Sequence, residues 1–159
     1  MTTSIDALNH EQYMERALTL AREAGDRGDE PFGSLLVHAE DGEILMEERN
    51  AVNTADDIRR HPELTLAQRA AHEFDAATRH ETVLYTSTEP CAMCTGGIYI
   101  AELGGVVYSV SAERAGELTG GDFVVPSATL FERGRRDVPV RGPVLGEAGE
   151  QVHRDCWPY

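Results

Sequence analysis

The sequence contains no lysine: all 14 of its Lys/Arg cations are arginine, set against 28 aspartates and glutamates, for a formal net charge of −14. That absence excludes Schiff-base catalysis by lysine and the phosphate-cradling lysine of a P-loop, and it leaves no basic stripe to neutralise a phosphate backbone. Nucleic acid is therefore not an expected partner. The acid excess reads either as a solvated surface suited to a salty cytoplasm, where salt screens self-repulsion, or as an acidic binding face. Also missing are an apolar run near the roughly 18 residues of a membrane span and a basic start followed by an apolar stretch. The expectation is a cytoplasmic protein with no membrane partner. Only three cysteines occur, an odd and crowded set that makes no disulfide framework; in a reducing compartment such a cluster binds metal or does redox work. No Pro- or Ser-rich linker, internal repeat or low-complexity tract interrupts the 159 residues, so 1–159 reads as a single domain.

What is present alternates between helical and extended patterns. "HEQYMERALTLAREAG" sets Tyr13, Met14, Ala17, Leu18 and Leu20 near the helical period, with Gly25 as its stop. Apolar runs at 34–37 and 44–48 flank Asp41-Gly42, a two-residue hairpin signal. "HPELTLAQRAAHEFDAATR" predicts one helix with Pro62 at its first position, where the missing amide hydrogen costs nothing. "TVLYTS" predicts a strand, "CAMCTGGIYIAELGG" a helix ending at Gly104, and "VVYSV" another strand. Beyond Ser111, Gly and Pro break the pattern; "VPVRGPVL" is a candidate edge strand and "GEAGEQVHRDCWPY" a short helix with an aromatic tail. Strands alternating with helices predict an α/β layered domain, and the leading hairpin makes its sheet mixed.

The chemistry concentrates in "STEPCAMCTGG", residues 87–97. A strand ahead of this segment and a helix opening within it put Cys91 and Cys94 in a first helical turn, where amide dipoles favour thiolate. A thioredoxin-like redox pair uses the same placement, but the preceding N-terminal βαβ pattern is lacking. A catalytic zinc site takes three protein ligands and leaves the fourth position open, and two cysteines with one histidine are a known set. Among His10, His38, His61, His72, His80 and His153, His61 is the one that precedes a helix start and is followed two residues later by an acid, Glu63. Two helix starts then face one metal, with Glu63 projecting toward the same point. This order, H-x-E and then P-C-x-x-C with the halves 30 positions apart, is the signature of zinc nucleobase deaminases. The helix and strand between the halves predict adjacent parallel strands, each followed by a helix. Cys156 reads as a small buried hydrophobe, because a fourth protein ligand closes the site; a structural zinc module that recruits Cys156 or His153 is the alternative.

From about Glu11 to Val110 the chain resembles the cytidine and deoxycytidylate deaminase superfamily, with guanine deaminases and bacterial tRNA adenosine deaminases the nearest in look. "EPFGSLLV" is similar to their first strand, "RNAV" to their substrate-binding Asn segment and "LYTSTEPCAMCTGGIYIAEL" to their zinc helix. The resemblance implies a three-layer α/β/α cytidine-deaminase-like fold with a five-stranded mixed sheet, Zn2+ as cofactor and a homodimer. It also implies that Asn50 hydrogen-bonds the base and that Phe32 sits near the pocket; taken alone, Asn50 reads as a strand-end turn residue and Phe32 as core. One departure stands out. Where the family carries an alanine whose backbone N–H donates to a substrate carbonyl, this chain has Pro62, which has no N–H. The substrate is then held differently, is met by another donor, or lacks an oxygen there.

The expected activity is hydrolytic removal of an exocyclic amine from an amidine-like ring carbon. Zinc brings its water toward a pKa of about 7, and Glu63 carries the proton to the ring nitrogen and then to the departing ammonia. A free nucleobase or nucleoside is the expected substrate, a guanine-like purine first on likeness. A tRNA adenosine deaminase and a cytosine or aminotriazine deaminase are the alternatives. The densest basic run, "ERGRRD", reads as a solvated loop. In the tail, Trp157 and Tyr159 read as an aromatic pair that stacks on a flat base, or equally as a docked terminal segment.

Overall fold

The computed structural model describes residues 5–157. Past a 3-10 turn at Ile5–Ala7, the elements run α1 (His10–Asp26), β1 (Gly33–His38), β2 (Ile44–Arg49), α2 (Val52–Ala55), α3 (Pro62–Glu73), α4 (Ala76–His80), β3 (Thr82–Thr88) and α5 (Ala92–Ile100). They continue with β4 (Gly105–Val110), α6 (Ala112–Thr119), α7 (Ser127–Phe131), β5 (Val140–Arg141) and α8 (Gly146–Cys156). The five strands form one mixed sheet in the order β2-β1-β3-β4-β5. Strand β1 is antiparallel to both β2 and β3, whereas β4 and β5 run parallel to β3.

The period-2 pattern of the strands divides the core. Leu35 and Val37 of β1, Val83 and Tyr85 of β3 and Val107 of β4 pack with Tyr13, Met14, Ala17 and Ala21 of α1 and Val152 of α8. Their sequence neighbours Leu36, Leu84 and Val106 point the other way, onto Leu66, Ala67 and Ala70 of α3 and Ile98 of α5. Both faces of the sheet are covered, which is the three-layer α/β/α architecture expected from the sequence. On the second face α3 and α5 lie against each other: a Cβ added at Gly97 would meet Leu64 Cδ1 at 2.6 Å, so the absent side chain lets the two site-bearing helices approach. No helix of the described residues is long and apolar enough to cross a membrane.

Four local expectations are corrected. The hairpin loop is longer than two residues: His38 N–H donates to Glu43 O and Gly42 N–H to His38 O, with Gly42 alone at positive φ (+74°) and a register shift between Leu36 and Val37. The expected helix over 61–79 breaks after Glu73, because Asp75 caps a separate helix by accepting from Thr78 N–H. The zinc-segment helix ends at Ile100, ahead of Gly104; Glu102 adopts a left-handed φ of +62°, and Gly104 N–H goes to Thr82 O of β3. Finally, β2 and β3, the strands that lead into α3 and α5, point the same way but are not neighbours, since β1 lies between them.

Candidate active site

Residues His61 and Cys91 are the N-caps of α3 and α5, and both have extended backbones. For His61 this follows from Pro62, which excludes the helical region for the residue before it and supplies a preset φ at the first helical position. The two side chains turn toward each other. Cys91 Sγ stands 3.7 Å from His61 Nδ1. Cys94, one turn into α5 and fully buried, completes the group: the three candidate ligand atoms all lie within 4.8 Å of one another. Tetrahedral zinc, with Zn–S near 2.3 Å and Zn–N near 2.0 Å, sets its ligand atoms roughly 3.5–3.8 Å apart, so the set fits the ion after a small contraction.

The electrostatics point the same way. Hydrogen bonds from the Cys94 thiol and from His61, against the cost of burial, push Cys91 down to about 4. Cys94 is pushed up, by its bond to that thiolate and by burial. His61 is raised, through its bond to Cys91 first and the charge of Glu63 next. Cys94 therefore keeps its proton and shares it with the Cys91 thiolate, and that proton leaves when both sulfurs bind a divalent cation.

Glu63 is 5% exposed. Burial, opposed by His61 and reinforced by Cys91, pushes its carboxyl up to about 7. That places a proton-exchanging group beside the ligand cluster without making it a ligand. All of this opens on a cavity of about 170 Å³ lined by Phe32, His61, Glu63, Thr88, Glu89 and Cys91, together with residues of α6 and the connection after it, among them Ala115, Thr119, Phe123 and Val124.

Other residues singled out in the sequence fall at different distances from this centre. Phe32 lines the pocket; Asn50, Pro62 and Trp157 are not among its lining residues. Asn50 is fully buried, accepts from Val52 N–H at its Oδ1, and carries an Nδ2 with no partner among the described residues. Trp157 stacks on His153 and meets Phe32 edge-on, and it lines a neighbouring cavity with His153, Arg154, Leu118 and Thr119. Tyr159 lies outside the described residues. Cys156 packs half-buried against the α1 core, and His153 Nε2 bonds Thr88 Oγ1; neither joins the metal cluster. Sequence reasoning missed Thr88, Glu89 and the whole α6 wall, for which no local motif gives a signal.

Residues 8–110 match the model of the cytidine and deoxycytidylate deaminase zinc-binding region. The chain belongs to this family. As a cytidine and deoxycytidylate deaminase family member, it is a zinc-dependent deaminase, with His61, Cys91 and Cys94 positioned to hold the ion. Within the family it is 40% identical to the guanine deaminase of Bacillus subtilis over 111 residues, 69% of this chain and 70% of that one. It is 29% identical to a tRNA-specific adenosine deaminase of Agrobacterium fabrum over 109 residues, 69% and 70% of the two chains. Its fold matches a guanine deaminase from Nitrosomonas europaea with a TM-score of 0.79 at 21% identity, over 93% of this chain and 84% of that one.

Proposed function

We propose that this deaminase acts on a free nucleobase or nucleoside, with a guanine-like purine as the preferred ring. The observation that carries the reading is the placement of Glu63, buried, in one small pocket with His61 and Cys91. Its likeness to the B. subtilis guanine deaminase supports the purine.

His61, Cys91 and Cys94 would hold the zinc, which would supply a nucleophile acidified to near neutral pH. Glu63 accepts the nucleophile's proton and delivers it to the ring nitrogen next to the attacked carbon. As the new C–O bond becomes a carbonyl, Glu63 passes the second proton to the exocyclic nitrogen. The C–N bond then breaks and ammonia leaves, so that one water is consumed for each amine released. In this reading Phe32 flanks the ring and the unpartnered Asn50 Nδ2 supplies donors to an acceptor on the substrate. Pro62 denies the substrate a backbone N–H and fixes His61. Trp157 acts through Phe32, outside direct contact with the ring. The charge of −14 supports the free base over the tRNA adenosine deaminase reading that the A. fabrum relative raises.

The proposal extends to a single catalytic domain over 1–159, a reducing cytoplasm that keeps the cysteines as thiols, and a homodimer. Exposed Ile58 and Ile100 are available apolar surface for the dimer. The test is an ammonia-release screen of the zinc-loaded chain across bases, nucleosides and aminotriazines. Guanine is expected to lead, and ammonia from none of them would overturn the reading.

A further inference from the structure

Glu89 takes no part in the metal cluster, yet it is only 8% exposed and lines the same pocket. Its backbone N–H donates to Val110 O, at the end of β4. Its carboxylate has no arginine or histidine partner among the described residues. Instead Oε1 accepts from the N–H of Ala112 at 2.8 Å, and Oε2 from the N–H and the hydroxyl of Ser127 at 2.8 and 2.6 Å. Ala112 and Ser127 are the first residues of α6 and α7, so their N–H groups have no partner within their own helices.

Between these two anchors runs the segment that walls the pocket: Ala112, Ala115, Gly116 and Thr119 of α6, then Gly121 and Phe123 to Val125. Only Pro90 separates Glu89 from the ligand Cys91. One side chain therefore fastens both ends of the wall to the start of the metal-bearing helix. The wall is also tied to the body by the ion pair from Arg114 of α6 to Glu150 of α8 at 2.9 Å; α6 has no buried residue and Phe123 is 77% exposed.

We propose that Glu89 is a positioning residue that sets the outer wall of the zinc pocket and thereby the size of ring substituent the pocket admits. The inference rests on the reading of this pocket as the deaminase site. The substitution Glu89→Gln keeps the shape but puts an NH2 where one oxygen stood, facing N–H or O–H donors, so one end of the wall is released. Ser127→Ala is the milder variant, removing only the hydroxyl bond.

Three measurements apply, on zinc-loaded full chain well below the melting temperature. Zinc content of Glu89→Gln stays at wild type. KM for the free base found by the ammonia screen rises about tenfold with kcat within a few-fold, and the kcat/KM of its N9-ribosylated form relative to the base rises by a similar factor. Amide exchange accelerates about tenfold over 112–125 and is unchanged in α3 and α5. Ser127→Ala moves each reading in the same direction by less. A lowered melting temperature with KM, the size ratio and exchange over 112–125 all as in wild type overturns the proposal, as does loss of zinc. If Glu89→Gln does not fold, Ser127→Ala decides by the same readings. If no substrate is turned over by wild type, the function reading fails by itself, and the exchange measurement alone tests Glu89.

Discussion

At the scale of single residues the proposed mechanism divides the site into groups that hold the ion and one group that moves a proton. Cys91 and Cys94 hold, since their sulfurs and one His61 nitrogen lie within 4.8 Å of one another. Glu63 is buried, lines the pocket and stands outside the ligand set, and the proposed mechanism makes it the acid–base rather than a carboxylate that merely suits a helix N-terminus. Glu63→Gln is therefore expected to lower turnover by at least about 10²–10⁴-fold, the usual loss on removing a general acid–base. Metal analysis should still find about one zinc per chain, where Cys91→Ala should lose it. A helix-dipole role alone costs about 0.3–1 kcal/mol of stability and spares turnover, so activity retained within a few-fold ends the mechanism. His61, Glu63, Cys91 and Cys94 were legible because their chemistry is written in short spacings. Glu89 was not: its partners lie at Ala112 and Ser127, and nothing local in "STEPC" names them.

At the scale of elements, the hairpin strands, the starts of the two site helices and the separate strands β3 and β4 could be read from periodicity and turn residues. The strand neighbours could not, since hydrophobic alternation does not say that β1 is inserted between β2 and β3. The short helix α2 also went unread, because it is held from outside: the fully buried Asp29 accepts from Asn53 N–H, Thr54 N–H and the Thr54 hydroxyl. Asp29 is also paired with Arg27, whose other nitrogen donates to Asn50 O at 2.6 Å. Burial raises the Asp29 carboxyl, but the bonds from Thr54 and Arg27 outweigh it and the net shift is downward. A depressed carboxyl stabilises the fold above its unfolded value of about 3.9, and that stabilisation is lost as pH falls through the folded value. Asp29→Asn should thus cost about 2 kcal/mol near pH 7, or roughly 4–8 °C in Tm. The gap to wild type should close as the pH drops below about 4. Thermal melts that show the same gap at pH 7 and at the lowest pH where both variants fold would count against this account.

On the scale of the whole molecule, charge is the argument for the proposed free base over tRNA, substrates that the pocket alone leaves level. A deaminase for tRNA must hold phosphates, and each phosphate neutralised by a cation contributes to a binding constant that falls with salt, by about 0.7–0.9 in log K per log salt. Here the arginines are already occupied. Arg16, Arg22, Arg49, Arg69, Arg114, Arg141 and Arg154 face carboxylates. Arg136, in the densest basic run, donates to Leu103 O and Tyr99 O and lies over the Tyr99 ring, so its role is structural. Arg60, Arg133 and Arg135 are the arginines whose side chains make no hydrogen bond or close ion pair among the described residues, and Arg60 still feels the charge of Asp57. Three cations on a chain of net charge −14 give at best a salt slope of about 2–3 and start from net repulsion. In a titration of labelled tRNA at 150 mM salt, binding is therefore expected to be no tighter than about 10⁻⁴ M, the weak end of non-specific association. Lowering the salt to 50 mM should strengthen it by no more than about 30-fold, the most that three phosphate contacts allow. Submicromolar binding with a steeper slope would require a basic surface that these residues do not form, and it would return the tRNA reading to first place over the free purine.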